Sequence, residues 1–250
     1  MSIIHAIGCL KMEFESIVLR WGDAMNSDKK SLINRRKFLS LGAYATGTWV
    51  LASSVTRAIA STCGLTPAQT AGPFYPGEAQ FKPDNDLTQL PGHTSRAKGQ
   101  IIYVSGAVLD AACKPIAGAT VEIWQACESG KYNNASDPNP AAIDPDFKYW
   151  GEAMSDSKGE YFFKTIIPGA YPADVGWIRP PHIHFKVSKL GYHELITQMY
   201  FEGNAYNNDD LILKAVPEAE RDRVIVKFNP SPEVGADLSG RFDITLQSVK

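Results

Sequence analysis

From Gly99 onward the chain alternates apolar and polar positions in short runs, with a period of two rather than the 3.6 of a helix. The runs Ile101 to Leu109, Ala119 to Ala126, Glu160 to Ile166, His182 to Ser188, Leu195 to Phe201, Val224 to Phe228 and Arg241 to Leu246 predict seven strands at fairly even spacing. Turn-forming stretches separate them. Asp110-Ala111-Ala112-Cys113-Lys114-Pro115-Ile116-Ala117-Gly118 joins the first two, and Asp156-Ser157-Lys158-Gly159 precedes the third. No strand–helix–strand alternation is visible, which argues against a parallel α/β sheet. The one helical window, Asp210 to Arg223, predicts a short surface helix or two turns. The expected fold class is therefore all-β, a β-sandwich.

Two segments precede this region. Residues 61 to 98 contain Thr66-Pro67, Gly72-Pro73, Tyr75-Pro76-Gly77 and Pro91-Gly92, punctuation too dense for a helix. They predict an extended lead-in that wraps over another element. Residues 1 to 60 carry eight Lys or Arg against four Asp or Glu, whereas the rest of the chain carries 17 against 23. Within them Asn34-Arg35-Arg36-Lys37-Phe38-Leu39 sets paired arginines before an apolar stretch, Phe38 to Val55, that Gly42, Thr46, Gly47, Thr48, Ser53 and Ser54 interrupt. Ala58-Ile59-Ala60 then supplies a small-x-small cleavage pattern. The stretch is too broken for a stable membrane span and resembles a twin-arginine export signal. The expected organisation is a leader over residues 1–60, a lead-in over 61–98 and a β-sandwich domain over 99–250, exported to the periplasm or beyond. Residues 1 to 24 sit awkwardly before the signal, so Met25 is the expected start.

Composition narrows the partners. A formal charge of −2 on 250 residues offers no cationic excess for phosphate neutralisation, which excludes nucleic acid. With 44% hydrophobic and 21% charged residues, the chain can bury a core and is not a disordered tail. Outside the leader the cysteines are Cys63, Cys113 and Cys127, with no CxxC spacing. One disulfide among them and three unpaired small residues both stay open.

The most informative segment is Arg179-Pro180-Pro181-His182-Ile183-His184-Phe185-Lys186-Val187. In a strand, residues i and i+2 rise together by roughly 6.6 Å on one side, so His182 and His184 can meet one metal while Ile183, Phe185 and Val187 fill the core. No Cys or carboxylate stands at ligand-like spacing from the pair. Glu194 lies ten residues after His184, past the Gly191 turn, which fits neither the cupin pattern nor a facial triad. Tyrosine is left as the further donor, with Tyr132 in Glu128-Ser129-Gly130-Lys131-Tyr132 and Tyr171 in Pro168-Gly169-Ala170-Tyr171-Pro172 as candidates in loops after strand ends. Taken alone, the histidines also read as a hydrogen-bonded pair and the tyrosines as turn residues.

The ordered set Glu122-Ile123-Trp124-Gln125-Ala126, Gly130-Lys131-Tyr132, Asp156-Ser157-Lys158-Gly159-Glu160-Tyr161, Pro168-Gly169-Ala170-Tyr171-Pro172, Arg179-Pro180-Pro181-His182-Ile183-His184-Phe185 and Thr197-Gln198-Met199-Tyr200-Phe201-Glu202-Gly203 resembles the intradiol ring-cleavage dioxygenases over about residues 66 to 246. The resemblance implies a non-haem Fe(3+) held by Tyr132, Tyr171, His182 and His184, with Tyr132 and His182 equatorial and Tyr171 and His184 axial. It implies a catechol-type substrate and O2, with Tyr171 displaced and taking up a substrate proton. The ring would open between its two hydroxylated carbons to a cis,cis-muconate-type diacid holding both oxygen atoms. Arg179 matches an arginine that stabilises negative charge on the substrate carbon, and Gln198 a glutamine facing the same pocket. Assembly as a homo- or hetero-oligomer is left open.

Within the family, Thr66-Pro67-Ala68-Gln69-Thr70-Ala71-Gly72-Pro73-Phe74-Tyr75-Pro76 is similar to the protocatechuate-type lead-in that approaches the substrate. Two departures leave the substrate open. The loop from Tyr171 to His182 is short and lacks a tryptophan two residues after Tyr171. The residues before the core are mostly leader, with no expected helical linker of the catechol and hydroxyquinol kind. A different class of protein competes, because Gly106 to Asp110 and Pro115 to Ile123 also resemble transthyretin-like (prealbumin) binding modules on the same kind of sandwich. A copper or zinc protein using only His182 and His184 is the third alternative.

Overall fold

The computed structural model describes residues 62–77 and 83–249. The leader expected over residues 1–60, its arginine pair and its cleavage pattern lie outside the described residues. Strand β1 (Ile101–Asp110) is the spine of one sheet. Along one side β4 (Glu160–Ile166) pairs with it antiparallel. Along the other, β11 (Leu238–Arg241) and then β12 (Ile244–Leu246) pair with it in parallel, and β10 (Phe228–Pro230) lies outside β11. The second sheet has the order β3 (Trp150–Met154), β2 (Thr120–Trp124), β7 (His182–Ser188), β8 (Leu195–Phe201), β9 (Ile225–Val226). A separate hairpin joins β5 (Tyr171–Asp174) to β6 (Trp177–Arg179).

The period of two decides which side chains meet between the sheets. Ile102, Val104 and Val108 of β1 and Phe163 of β4 pack with Val121, Ile123, Ile183, Phe185, Val187 and Met199 from the second sheet. The intervening residues of β2, β7 and β8 therefore point to the opposite face, where Trp124, His184 and Gln198 fall in one register row. The all-β sandwich expected from the pattern is the fold observed.

Several boundaries differ from the sequence expectation. The run Arg241 to Leu246 is two strands, because Phe242 turns its ring into the core and Asp243 Oδ1 accepts the Ala107 N–H at 2.8 Å where a backbone oxygen would otherwise do so. Gly106 opposite has no room for a Cβ, which would lie 1.9 Å from the Phe242 carbonyl oxygen. The run Val224 to Phe228 likewise divides, β9 joining the second sheet and β10 the first. The stretch from Tyr171 to His182, expected as a loop, is mostly the β5–β6 hairpin, and β3 went unpredicted. The helical window resolves into α1 (Leu211–Ala215), capped by Asp210, and a 3₁₀ turn at Glu218–Arg223.

The lead-in does wrap over the sandwich. Thr66 exchanges hydrogen bonds with Thr245, and the Gln69 N–H donates to Ile196 O at 2.8 Å. Of the three cysteines, Cys63 and Cys113 form a disulfide and Cys127 is buried and free. The crosslink closes 50 residues and ties the lead-in to the turn after β1, a constraint on the unfolded chain worth about 2–4 kcal/mol. Among the described residues, no helix is long and apolar enough to cross a membrane.

Candidate metal centre

The outer face of the second sheet supplies two imidazoles. His182 and His184 are both buried, their ring centroids 4.9 Å apart and their planes near perpendicular. His182 Nδ1 lies 2.7 Å from the Pro180 carbonyl, which can only accept, so Nδ1 carries the proton and Nε2 keeps its lone pair. That Nε2 lies 3.4 Å from the Tyr132 hydroxyl. His184 is stacked on Trp124 at 4.8 Å and 7°, and its Nδ1 is buried with no hydrogen-bond partner.

Two loops carry the phenols over this face. Gly130 (φ +79°) has no space for a side chain, since a Cβ would lie 2.5 Å from Ala170 O, and at Gly169 it would lie 2.3 Å from Glu128 O. These glycines let the segments before Tyr132 and Tyr171 pack backbone to backbone, with the Gly130 and Gly169 N–H groups both donating to Cys127 O at 2.9 Å. Asp137 accepts the Tyr132 N–H at 2.7 Å and pins the first loop. The tyrosine rings meet edge to face at 5.6 Å, and Tyr171 lies 5.7 Å from the His182 ring. Phe74 of the lead-in packs on Tyr132 at 4.8 Å.

Arg179 stands directly across the hairpin from Tyr171. Although only 4% exposed, it donates from Nε to Asp210 Oδ1 at 2.8 Å and from Nη2 to Gln198 Oε1 at 2.6 Å. Gln198 is oriented in turn, its Nε2 donating to Thr70 O at 2.9 Å. The Tyr200 hydroxyl, 3.4 Å from Arg179 Nη2, donates to Gln69 Oε1 at 2.9 Å. All six side chains singled out in the sequence, Tyr132, Tyr171, Arg179, His182, His184 and Gln198, thus come together.

Burial sets their protonation. It pushes Tyr132 well above the usual phenol range, with neighbouring Tyr171 adding to the effect. It raises Tyr171 too, against the opposing charge of Arg179. Burial, then the Arg179 charge, drives His182 well below the usual imidazole value and His184 down to about 3. Burial also works against the Arg179 charge, but the phenols of Tyr171 and Tyr200, when ionised, and Asp210, its ion-pair partner at 2.8 Å, raise its pKa on balance. The protein alone therefore holds all four donors neutral, a state that a cation can exploit by ionising the phenols. Among the described residues no cluster of three or more His, Cys, Asp or Glu could hold a metal, and the further side-chain donors beside these two imidazoles are the phenols of Tyr132 and Tyr171. Two phenol oxygens, His182 Nε2 and an imidazole with a nitrogen unpaired inside the protein fit a hard, oxidised cation.

Sequence reasoning missed the supports. Asp210 was visible only as a helix start, and Tyr200 only as part of a motif. Glu122, buried on the outer face of β2, accepts from Tyr75 Oη at 2.6 Å and Trp150 Nε1 at 3.2 Å and pairs with Lys186 at 3.2 Å, fastening the lead-in beside the site. Its outward register beside Trp124 was the available signal.

An open two-sheet sandwich with an aromatic and imidazole donor set on one outer face is the class of structure these observations define. Residues 70–248 match a family model described as dioxygenase. The chain is 41% identical over 182 residues to the protocatechuate 3,4-dioxygenase beta chain of Burkholderia cepacia, covering 70% of this chain and 76% of that one. It is 31% identical to a catechol 1,2-dioxygenase of Candida albicans, covering 72% of this chain and 60% of the relative. The dioxygenase domain of a carbohydrate-binding fusion protein from Streptomyces sp. SirexAA-E superposes with a TM-score of 0.56 at 28% identity, covering 74% of this chain and all of that one. The chain belongs to the intradiol ring-cleavage dioxygenase family.

Proposed function

We propose that this chain is an exported iron(III) intradiol dioxygenase that opens a catechol-type ring between its hydroxylated carbons, placing both atoms of O2 in a cis,cis-muconate-type diacid. The convergence of Tyr132, Tyr171, His182 and His184 on one buried face carries this reading. The family uses non-haem iron, and these four residues would hold it. Bound there, ferric iron supplies the Lewis acidity that ionises both phenols and draws electron density from a catecholate.

The chain's own residues do the rest. Tyr171 Oη takes up a substrate hydroxyl proton, and burial, which raises its pKa, favours the protonated phenol that results. Arg179 offers a fixed positive charge where negative charge develops on the ring carbon, with Gln198 holding its Nη2. Phe74 packs on both tyrosines and Trp124 stacks on His184, with Tyr75 behind it, lining the donors with aromatic surface. Relatives named for protocatechuate and for catechol support an ortho-dihydroxy aromatic substrate without choosing between them.

Purified protein is expected to carry about one iron per chain, to be coloured by phenolate-to-iron absorption, and to consume O2 with at least one member of a panel of substituted catechols. A colourless preparation that binds no iron and takes up no oxygen overturns the reading in favour of a binding module. Unchanged metal content in both Tyr132→Phe and Tyr171→Phe would move it to a two-histidine copper or zinc site. Export is supported by the arginine pair at Arg35-Arg36 and by the Cys63–Cys113 disulfide, since such crosslinks persist in oxidising compartments. Residues 25–60 fused to a folded reporter are expected to carry it out of the cytoplasm, and Arg35→Lys with Arg36→Lys to retain it there; export of the double variant at the original rate counts against the signal.

A further inference from the structure

We propose that Asp210 is the positioning residue for Arg179, aiming the guanidinium at the substrate; this rests on the reading of Arg179 just given. Asp210 is fully buried, and its two oxygens are saturated. Oδ1 accepts from Arg179 Nε at 2.8 Å and Trp177 Nε1 at 3.2 Å. Oδ2 accepts from the Leu213 N–H at 3.0 Å and from Arg179 Nη2 at 3.4 Å. Four donors fill the roughly four lone-pair sites of a carboxylate and hold the group in one rotamer.

The donors come from different elements. Leu213 fixes Asp210 to α1, as the N-cap of that helix. Trp177 fixes it to β6, the strand that ends in Arg179 and pairs with the strand opened by Tyr171. One carboxylate therefore sets the guanidinium, and the hairpin carrying it, relative to Gln198 on β8. The bonds to Asp210, Gln198 and Tyr200 use Nε and Nη2 and leave Nη1 as the edge free of these three residues. Among these contacts Asp210 is the one carboxylate, and the one partner that meets two nitrogens of this Arg on its three-residue strand. Buried ion pairs add little stability compared with well-packed apolar residues, so a pair built this completely is better explained by placement than by stability.

The test uses the iron-loaded protein. Asp210→Asn keeps the shape but turns an amide N–H toward Leu213 and leaves Arg179 unbalanced; Asp210→Glu keeps the charge and lengthens the stem. Each is expected to lower kcat by about 10- to 100-fold while KM moves by less than about 3-fold. Iron content and the visible band are expected to match those of the unaltered protein. Because Asp210 acts through Arg179, Arg179→Ala and Arg179→Ala with Asp210→Asn are expected to have the same kcat. Added guanidinium ion is expected to restore turnover partly in the first and not in the second. Normal turnover by Arg179→Ala defeats the reading of Arg179 itself. An impaired Arg179→Ala beside wild-type kcat in both Asp210 variants defeats only the positioning role. Loss of iron or folding in both Asp210 variants, or additive losses in the double variant, assigns Asp210 to the scaffold instead.

Discussion

His182→Ala is expected to leave the protein with less than about a tenth of an iron per chain and no visible colour, while the sandwich stays folded. The imidazole is buried, its Nδ1–H is spent on the Pro180 carbonyl, and its Nε2 faces the Tyr132 hydroxyl at 3.4 Å. No other side-chain nitrogen on β7 can replace it, because His184 already occupies the neighbouring outward position and the Lys186 ammonium, which has no lone pair to give, is paired with Glu122. The phenols would then have to ionise against burial with one donor fewer to hold the cation, so affinity falls by at least about 100-fold. Stability also falls, by about 2–4 kcal/mol, for the cavity and the orphaned Pro180 carbonyl. Metal analysis beside thermal unfolding separates the two effects. A full complement of iron in folded His182→Ala removes this residue from the ligand set.

The part of this arrangement that could be read from the sequence is the part governed by local period. Strict alternation from His182 to Val187 put the histidines on one face and Ile183, Phe185 and Val187 on the other, as observed. Loop position and the lack of other donors made the phenols candidates, and only the resemblance made them ligands, because the contact that matters is between Gly130 and Gly169, a backbone approach that no local pattern encodes. The β5–β6 hairpin was hidden by Pro172 and Gly176, which read as turn residues although two short strands suffice around them. β3 was hidden by Gly151 and by the Asp- and Pro-rich stretch before it; Gly151 is required there because a Cβ would lie 2.7 Å from the Asp84 carbonyl oxygen. Asp210 shows the general limit. Its helix-cap role is local and was visible, whereas its grip on Arg179 spans 31 residues and needs the folded hairpin.

Arg179→Ala is expected to do the opposite of His182→Ala, keeping iron and colour while lowering kcat by about 10²- to 10³-fold. A guanidinium has no lone pair to give a metal, and its positive charge opposes any cation beside His182 and His184, whose protonation it already disfavours. Its removal therefore leaves iron binding intact or tighter. Turnover suffers because the positive charge facing the reacting carbon is gone, and KM for the catechol changes little if that charge acts mainly in the transition state. The same substitution strands the carboxylate of Asp210, 0% exposed, without its cation, at a cost of about 3–5 kcal/mol. Pairing it with Asp210→Asn is thus expected to recover much of the lost melting temperature and none of the lost kcat. Stability and catalysis would then respond to different halves of one ion pair. Iron-loaded Arg179→Ala that turns over at the original rate rules out the catalytic half.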